Sequence, residues 1–392
     1  MVRHDAGHVQ MGLSSVKSRL AMDRKSLAIA LDEWMTTGYN HLLGTDRHKR
    51  GHHLLKTYLV EANIPRRNGE SLDVASFFER SSPRSPVDVA STDDHSIFQL
   101  RIGKAGVPFF LDALDGRFWV LHSISPAADS DKAIRGLILG TRNLDSFWLP
   151  THQMEDWIGK LGVPRVLTTK FAVATGIYQE SIPEEEFLDD SLVFRIGALG
   201  DARPRLNAYR ESPILAANLA LWSASIARRW SDGDQLTTSI VTASGKVTAR
   251  GNSFRLHEEI VDGLRARYAD LIEEWEGRFR LRWSETDGRL TPAGETAVIA
   301  FPERQSQRSL EQVISVLFSC AEPFRLSGTP IARGDSGHYV VKAVDLHTNH
   351  KVDFEITPGF LRAYLHSDTC GNVLARLLTN LQHYVDARIT LA

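Results

Sequence analysis

Residues 324–357, FRLSGTPIARGDSGHYVVKAVDLHTNHKVDFEIT, set the architecture of the C-terminal half. Two turn signals, Gly334-Asp335-Ser336-Gly337 and Thr348-Asn349-His350, interrupt runs rich in Val, Ile, Tyr and Phe. That is the pattern of a three-strand antiparallel meander. In Lys351–Ile356 apolar residues alternate with charged ones, so one face is buried and the other wet. Helical patterns flank the meander at Leu310–Phe318 and Val373–Val385.

Upstream, Leu256, Ile260, Leu264, Tyr268, Leu271 and Trp275 recur every three or four residues, which predicts a long amphipathic helix. Strands are expected at Phe279–Trp283 and Thr296–Phe301, a hairpin over Leu236–Ala249 turning at Ser244-Gly245, and a helix from Ser212-Pro213 to about Trp230. In the middle region Ile97–Ile102, Val107–Leu111 and Arg117–Ile124 read as strands, followed by helices to Leu139 and over Gln153–Leu161 and a strand over Val166–Thr175. Helices are expected at Lys25–Leu43 and Lys49–Ala62.

The Ser-, Pro- and Asp-rich segment Glu79–His95 and the acidic run Ile182–Glu186 read as boundaries. They divide the chain into a helical N-terminal region (1–80), a small α+β domain (96–180) and a larger α+β domain (190–392) with the meander and terminal helix. The order of elements favours α+β, with mixed, largely antiparallel sheets and helices packed on one face, over a doubly wound parallel sheet.

At 392 residues, 42% apolar and 24% charged, the chain has the composition of a multidomain globular protein. A formal net charge of −2 gives no bulk attraction to nucleic acid or to acidic partners, so charge-driven binding must come from local patches. Two cysteines, Cys320 and Cys370, exclude a disulfide framework and an all-cysteine zinc site. No apolar run reaches the roughly 20 residues that span a bilayer, and the first residues lack a signal-peptide core. A cytoplasmic, soluble protein without a membrane role is expected.

Four groups of residues carry chemical possibilities. On a strand, Arg278, Arg280 and Arg282 would share one face at about 6.6–6.8 Å repeats, able to grip a nucleic-acid backbone or an acidic protein edge. Neighbouring Glu273, Glu274, Glu276 and Glu285 offer internal partners instead. The hairpin residues Asp345, His347, Asp353 and Glu355 would supply a divalent-metal site if their faces coincide, and cross-strand surface charges if they do not. Trp148, in Leu144–Pro150, is either core or a docking residue. The fourth group is the basic run Arg47–His53, where His48 and His52 stand one helical turn apart.

Within that run Arg47 and His52 form an Arg-x4-His pattern that resembles the ribonuclease motif of HEPN domains. The resemblance implies an Arg and a His presented to RNA in a dimer cleft. Gly334–Gly337 shares its letters with the nucleophile segment of chymotrypsin-like proteases, but His338 follows in place of glycine, and a hairpin turn accounts for the same residues. Phosphate-loop, GxGxxG, GxSxG and HExxH motifs are absent. The expectation is a non-enzymatic interaction protein or complex subunit that binds nucleic acid or a protein partner through the Arg-rich strand, without a cofactor. The alternative is a nuclease, either metal-dependent or HEPN-like.

Overall fold

The structure, a computed structural model, describes residues 20–44, 54–64, 73–81, 86–171, 192–230, 235–286, 289–334 and 337–392. In chain order, α1 (Arg24–Gly44) leads to β1 (Leu55–Ala62) and α2 (Val74–Ser81). Then come β2 (Val87–Ser91), β3 (Ile97–Ile102), β4 (Val107–Asp112) and β5 (Phe118–Ser123), followed by α3 (Ala127–Gly140) and β6 (Leu144–Ser146). Next are α4 (Thr151–Leu161), β7 (Val163–Phe171), β8 (Leu192–Gly197), α5 (Arg203–Arg210) and α6 (Pro213–Ala216). β9 (Leu221–Arg229), β10 (Leu236–Thr242) and β11 (Lys246–Gly251) precede the long helix α7 (Phe254–Phe279). A ribbon follows, β12 (Arg282–Thr286) and β13 (Arg289–Ala293), then β14 (Ala297–Ala300) and α8 (Gln307–Leu317). The chain ends with β15 (Leu326–Ala332), β16 (Tyr339–Asp345), β17 (His350–Ile356), β18 (Phe360–Leu365), α9 (Asn372–Tyr384) and β19 (Thr390–Leu391).

These elements make an α+β protein in which the strand ladders are antiparallel. A large sheet runs β2-β3-β4-β5-β1-β11-β10-β9-β7-β8, with β6 paired beside β1. A six-stranded sheet runs β15-β16-β17-β18-β14-β19. The expected meander is present and gains a fourth strand in β18, because Phe360–Leu365 continues the same alternation of buried and half-buried residues.

Three elements differ from the sequence expectation. A helix was expected over residues 49–62, yet Leu55–Ala62 is a strand whose eight residues are all buried. Its edges are taken by β5 on one side and β11 and β6 on the other, so neighbouring strands satisfy its backbone and override local propensity. The helix opened by Pro213 lasts four residues, and Leu221–Arg229 is a strand that alternates buried Ala224 and Ile226 with half-buried Ser223 and Ser225. In the opposite direction, α7 continues to Phe279 because Ile272, Trp275 and Phe279 extend its buried stripe, so no strand begins at that residue. The large sheet also draws strands from all three segments expected as separate: β1 lies between β5 and β11.

Helices α1, α4 and α7 pack on one face of the large sheet. Leu27, Leu31 and Met35 of α1 meet Leu55 and Ala249, while α4 and α7 share a core with Leu167, Ala224, Ile226, Val241 and Val247. Burying each such Leu or Ile side chain contributes about 1.5–3 kcal/mol. Helix α3 covers the opposite face, over β1 and its neighbours, through Ala133, Ile134, Leu137 and Ile138. Its reach ends at the edge of β11, where Asp131 pairs with Lys246 (2.6 Å). Helix α9 lies where the two sheets meet, and its residues Asn372–His383 are all buried.

Candidate functional site

Arg47 and His52 lie outside the described residues. The arginine row expected over residues 278–282 does not form, because its first two members belong to a helix end. Arg278 is in the last turn of α7 and pairs with Glu295 (2.7 Å). Arg280 is the helix C-cap, paired with Glu276 (2.9 Å) and donating through Nε to the Thr369 carbonyl (2.6 Å). Arg282 alone reaches a strand, β12.

The hairpin carboxylates point to opposite faces. Asp345 opposes His350, whereas Asp353 opposes Lys342 and Glu355 opposes Val340, which puts Asp345 one step out of phase with the other two. Asp345 and His347 are fully buried. On the other face Asp353 meets His366 (3.4 Å), and Glu355 accepts from Arg362 (3.0 Å) and Tyr364 (3.1 Å). Among the described residues no group of three or more His, Cys, Asp or Glu is placed to hold a metal ion. Trp148 is half-buried against the core, and its indole donates to Asp145 Oδ1 (3.1 Å).

Asp145 belongs to a buried ionic seam that runs between the sheets beside α9. At one end Arg117 donates to Glu61 (2.6 Å) and to both oxygens of Glu276 (2.5 and 3.0 Å), while the Cys370 thiol donates to Glu61 (3.2 Å). Burial and the Glu61 carboxylate push that thiol's pKa well up, so Cys370 stays protonated and unreactive. At the other end Arg376 bridges Asp145 and Asp345 and donates to the Phe324 carbonyl (2.9 Å). Burial raises the Asp145 pKa, but Arg376 and Arg325 outweigh it and hold the carboxyl at about 2. Glu61 and Asp145 face each other in the β1–β6 register, which joins the two ends. The Arg376 end of the seam is closed to solvent, the Arg117 end is half-buried, and the acids at both are met by guanidiniums, so the seam ties the two sheets together.

Among the described residues, the face of β7–β11 opposite α7 stays accessible, with Thr168, Ser223, Ser225, Ile240 and Thr248 half-buried. These five strands carry seven basic residues, Arg165, Lys170, Arg195, Arg228, Arg229, Lys246 and Arg250, and no Asp or Glu. Two are neutralised, Arg228 by Glu259 (2.7 Å) and Lys246 by Asp131 (2.6 Å). Register places Lys170, Arg195, Arg229 and Arg250 on the open face, and among the described residues none of them is paired with an acid. Between them the floor consists of short side chains. Thr168 opposes Ser223, and Ser225, Ile240 and Thr248 follow one another across three strands.

This face was missed in the sequence although its signal was present. The segments Val163–Phe171, Leu192–Gly197, Leu221–Arg229 and Leu236–Gly251 contain no acid. Reading residues 212–230 as a helix removed the central strand that brings them together.

A mixed α+β protein of two antiparallel sheets, clasped by a buried helix and open along one basic, hydroxyl-rich face, is the class that fold and surface define. The chain belongs to the MJECL33-like protein family, whose profile matches residues 16–392. It is 24% identical over 407 aligned positions to "Uncharacterized protein MJECL33" of Methanocaldococcus jannaschii, covering 94% of this chain and 93% of that relative. No solved structure matches it significantly. No helix among the described residues is long and apolar enough to cross a membrane.

Proposed function

We propose that this protein binds nucleic acid on the open face of β7–β11. The observation that carries this reading is the charge pattern: five adjacent strands without one carboxylate, in a chain whose net charge is −2. A local cationic face on a near-neutral protein attracts a polyanion through counterion release, independently of base sequence. Arg195 and Arg250 stand on strands separated by four inter-strand spacings, about 19 Å, so the guanidiniums border a broad surface instead of a narrow groove. The seam beside α9 supports the reading indirectly, because it anchors β1 and the small sheet and keeps the large sheet rigid beneath a ligand.

Binding is tested by fluorescence anisotropy with labelled single- and double-stranded DNA and RNA at several salt concentrations. Salt-sensitive binding that Arg195→Glu and Arg250→Glu together reduce at least tenfold is expected. Absence of binding to every probe at low salt, or binding untouched by both charge reversals, would sink the reading. A protein partner in place of nucleic acid would leave every anisotropy trace flat.

A further inference from the structure

Resting on that reading, we infer that the nucleic acid held by this face is an RNA duplex, contacted through its 2′-hydroxyls as well as its phosphates. The register puts six hydroxyls on this face; Thr242 is bonded within its own turn, to Ser244 and Lys246, while those of Thr168, Ser223, Ser225, Thr238 and Thr248 have no hydrogen-bond partner among the described residues. On the opposite face of the same sheet most hydroxyls are used internally, Thr169 being an exception. Thr237 Oγ1 donates to the Ser253 carbonyl (2.8 Å), Ser239 Oγ bonds His257 (3.2 Å) and Thr57 Oγ1 bonds two histidines. A row of unmatched hydroxyls at half-buried positions, bounded by unpaired cations, is suited to a ligand that displays both hydroxyls and phosphates.

The geometry selects among nucleic acids. Among the described residues the register positions between the guanidiniums, Thr168, Ser223, Ser225, Ile240 and Thr248, carry no aromatic ring, and Trp222 beside them, 36% exposed, has the Lys170 ammonium over its face (5.9 Å), so the surface lacks a row of free platforms on which successive single-stranded bases stack. B-form DNA has a minor groove about 6 Å wide, which a flat sheet cannot enter, and no 2′-hydroxyl. An A-form helix turns a wide, shallow minor groove outward, lined with 2′-hydroxyls and flanked by phosphates. A surface about 19 Å broad, hydroxylic in the middle and cationic at its borders, complements that groove.

The test compares one sequence of about 16 base pairs, the span read by known duplex-RNA modules, as duplex RNA, duplex DNA and single-stranded RNA at one salt concentration. Duplex RNA should bind tightest. In the variant Ser225→Ala/Thr238→Val/Thr248→Val, duplex-RNA affinity should fall about fivefold for each hydroxyl removed, with duplex-DNA affinity unchanged. The single substitutions, each with a thermal melt matching the parent, give the same comparison if the triple variant is unstable. Equal or tighter binding of duplex DNA or single-stranded RNA overturns the inference and leaves nucleic-acid binding standing. So does a duplex-RNA preference that survives loss of the hydroxyls. Failure of all three probes to bind overturns both.

Discussion

The Thr57 hydroxyl lies 2.7 Å from His257 Nε2 and so ties the centre of the large sheet to α7. It also meets His122 Nδ1 (2.9 Å), and His257 Nδ1 reaches Ser239 (3.2 Å), which makes a four-member chain across β5, β1, α7 and β10. Burial lowers the His122 pKa to about 4 and the His257 pKa to about 3, since no carboxylate bonds either ring.

A pH dependence of stability follows directly. Unfolded, both imidazoles take up a proton near pH 6.5; folded, they do so only near pH 4 and pH 3. Across that window the unfolded chain binds more protons, so stability falls as pH drops below about 6.5, by about 1.4 kcal/mol per unit for each histidine. His383, whose pKa burial lowers to about 4, adds a third term of the same sign. Urea midpoints at pH 7, 6 and 5 measure the slope. His257→Gln should lower stability at pH 7 and flatten the decline; an unchanged slope would count against a buried neutral imidazole.

Arg376 is the residue on which the seam depends most. It is buried and holds Asp145 and Asp345, which lie on different sheets. Arg376→Met leaves two carboxylates without their main partner and should cost about 3–5 kcal/mol. Adding Asp145→Asn and Asp345→Asn should restore much of the loss, because the penalty comes from uncompensated charge and not from missing volume. Denaturant midpoints of the single and triple variants separate the two causes. A triple variant no more stable than Arg376→Met would reject the electrostatic account.

The legible parts of the chain were those where period and neighbourhood agree. The stripe of α7 and the alternation of β16 and β17 each bury one face, so their sequences announce both element and orientation. β1 failed for the opposite reason: all eight residues are buried, and a strand covered on both faces has no alternation to read. The arginines at 278–282 misled because a period of two is also compatible with the ragged end of a helix. The pairing of Arg376 with Asp145 and Asp345 spans 231 and 31 residues, distances no local pattern reports. The basic face needed strand order, which exists only once the sheet has formed.

The β12–β13 ribbon separates backbone strain from surface exposure. Gly294 closes its base at φ +100°, where an added Cβ would stand 2.3 Å from the Arg280 carbonyl oxygen. Gly294→Ala should therefore destabilise the protein by about 1–3 kcal/mol, through a left-handed backbone that alanine resists and a contact with main chain that cannot yield. Trp283 and Leu290 on the same ribbon are 72% and 71% exposed. Trp283→Ala should change stability by no more than about 0.5 kcal/mol, as expected for a side chain the fold does not pack. Thermal melts of the two variants should rank them in that order; the reverse order would mean that the ribbon is covered.

The salt dependence of binding counts the cations that meet phosphate. Each lysine or arginine in contact with a duplex phosphate contributes about 0.9 to the slope of log affinity against log salt. Lys170, Arg195, Arg229 and Arg250 all lie on the open face without an acid among the described residues, so each should act as an independent contact. Replacing Arg195 or Arg250 by Gln should lower the slope by about 1, and replacing both by about 2. Arg228→Gln is the control, because that guanidinium is held by Glu259 on α7 and its loss should leave the slope alone. A series in which Arg228→Gln lowers the slope as much as Arg195→Gln would place the ligand elsewhere on the molecule.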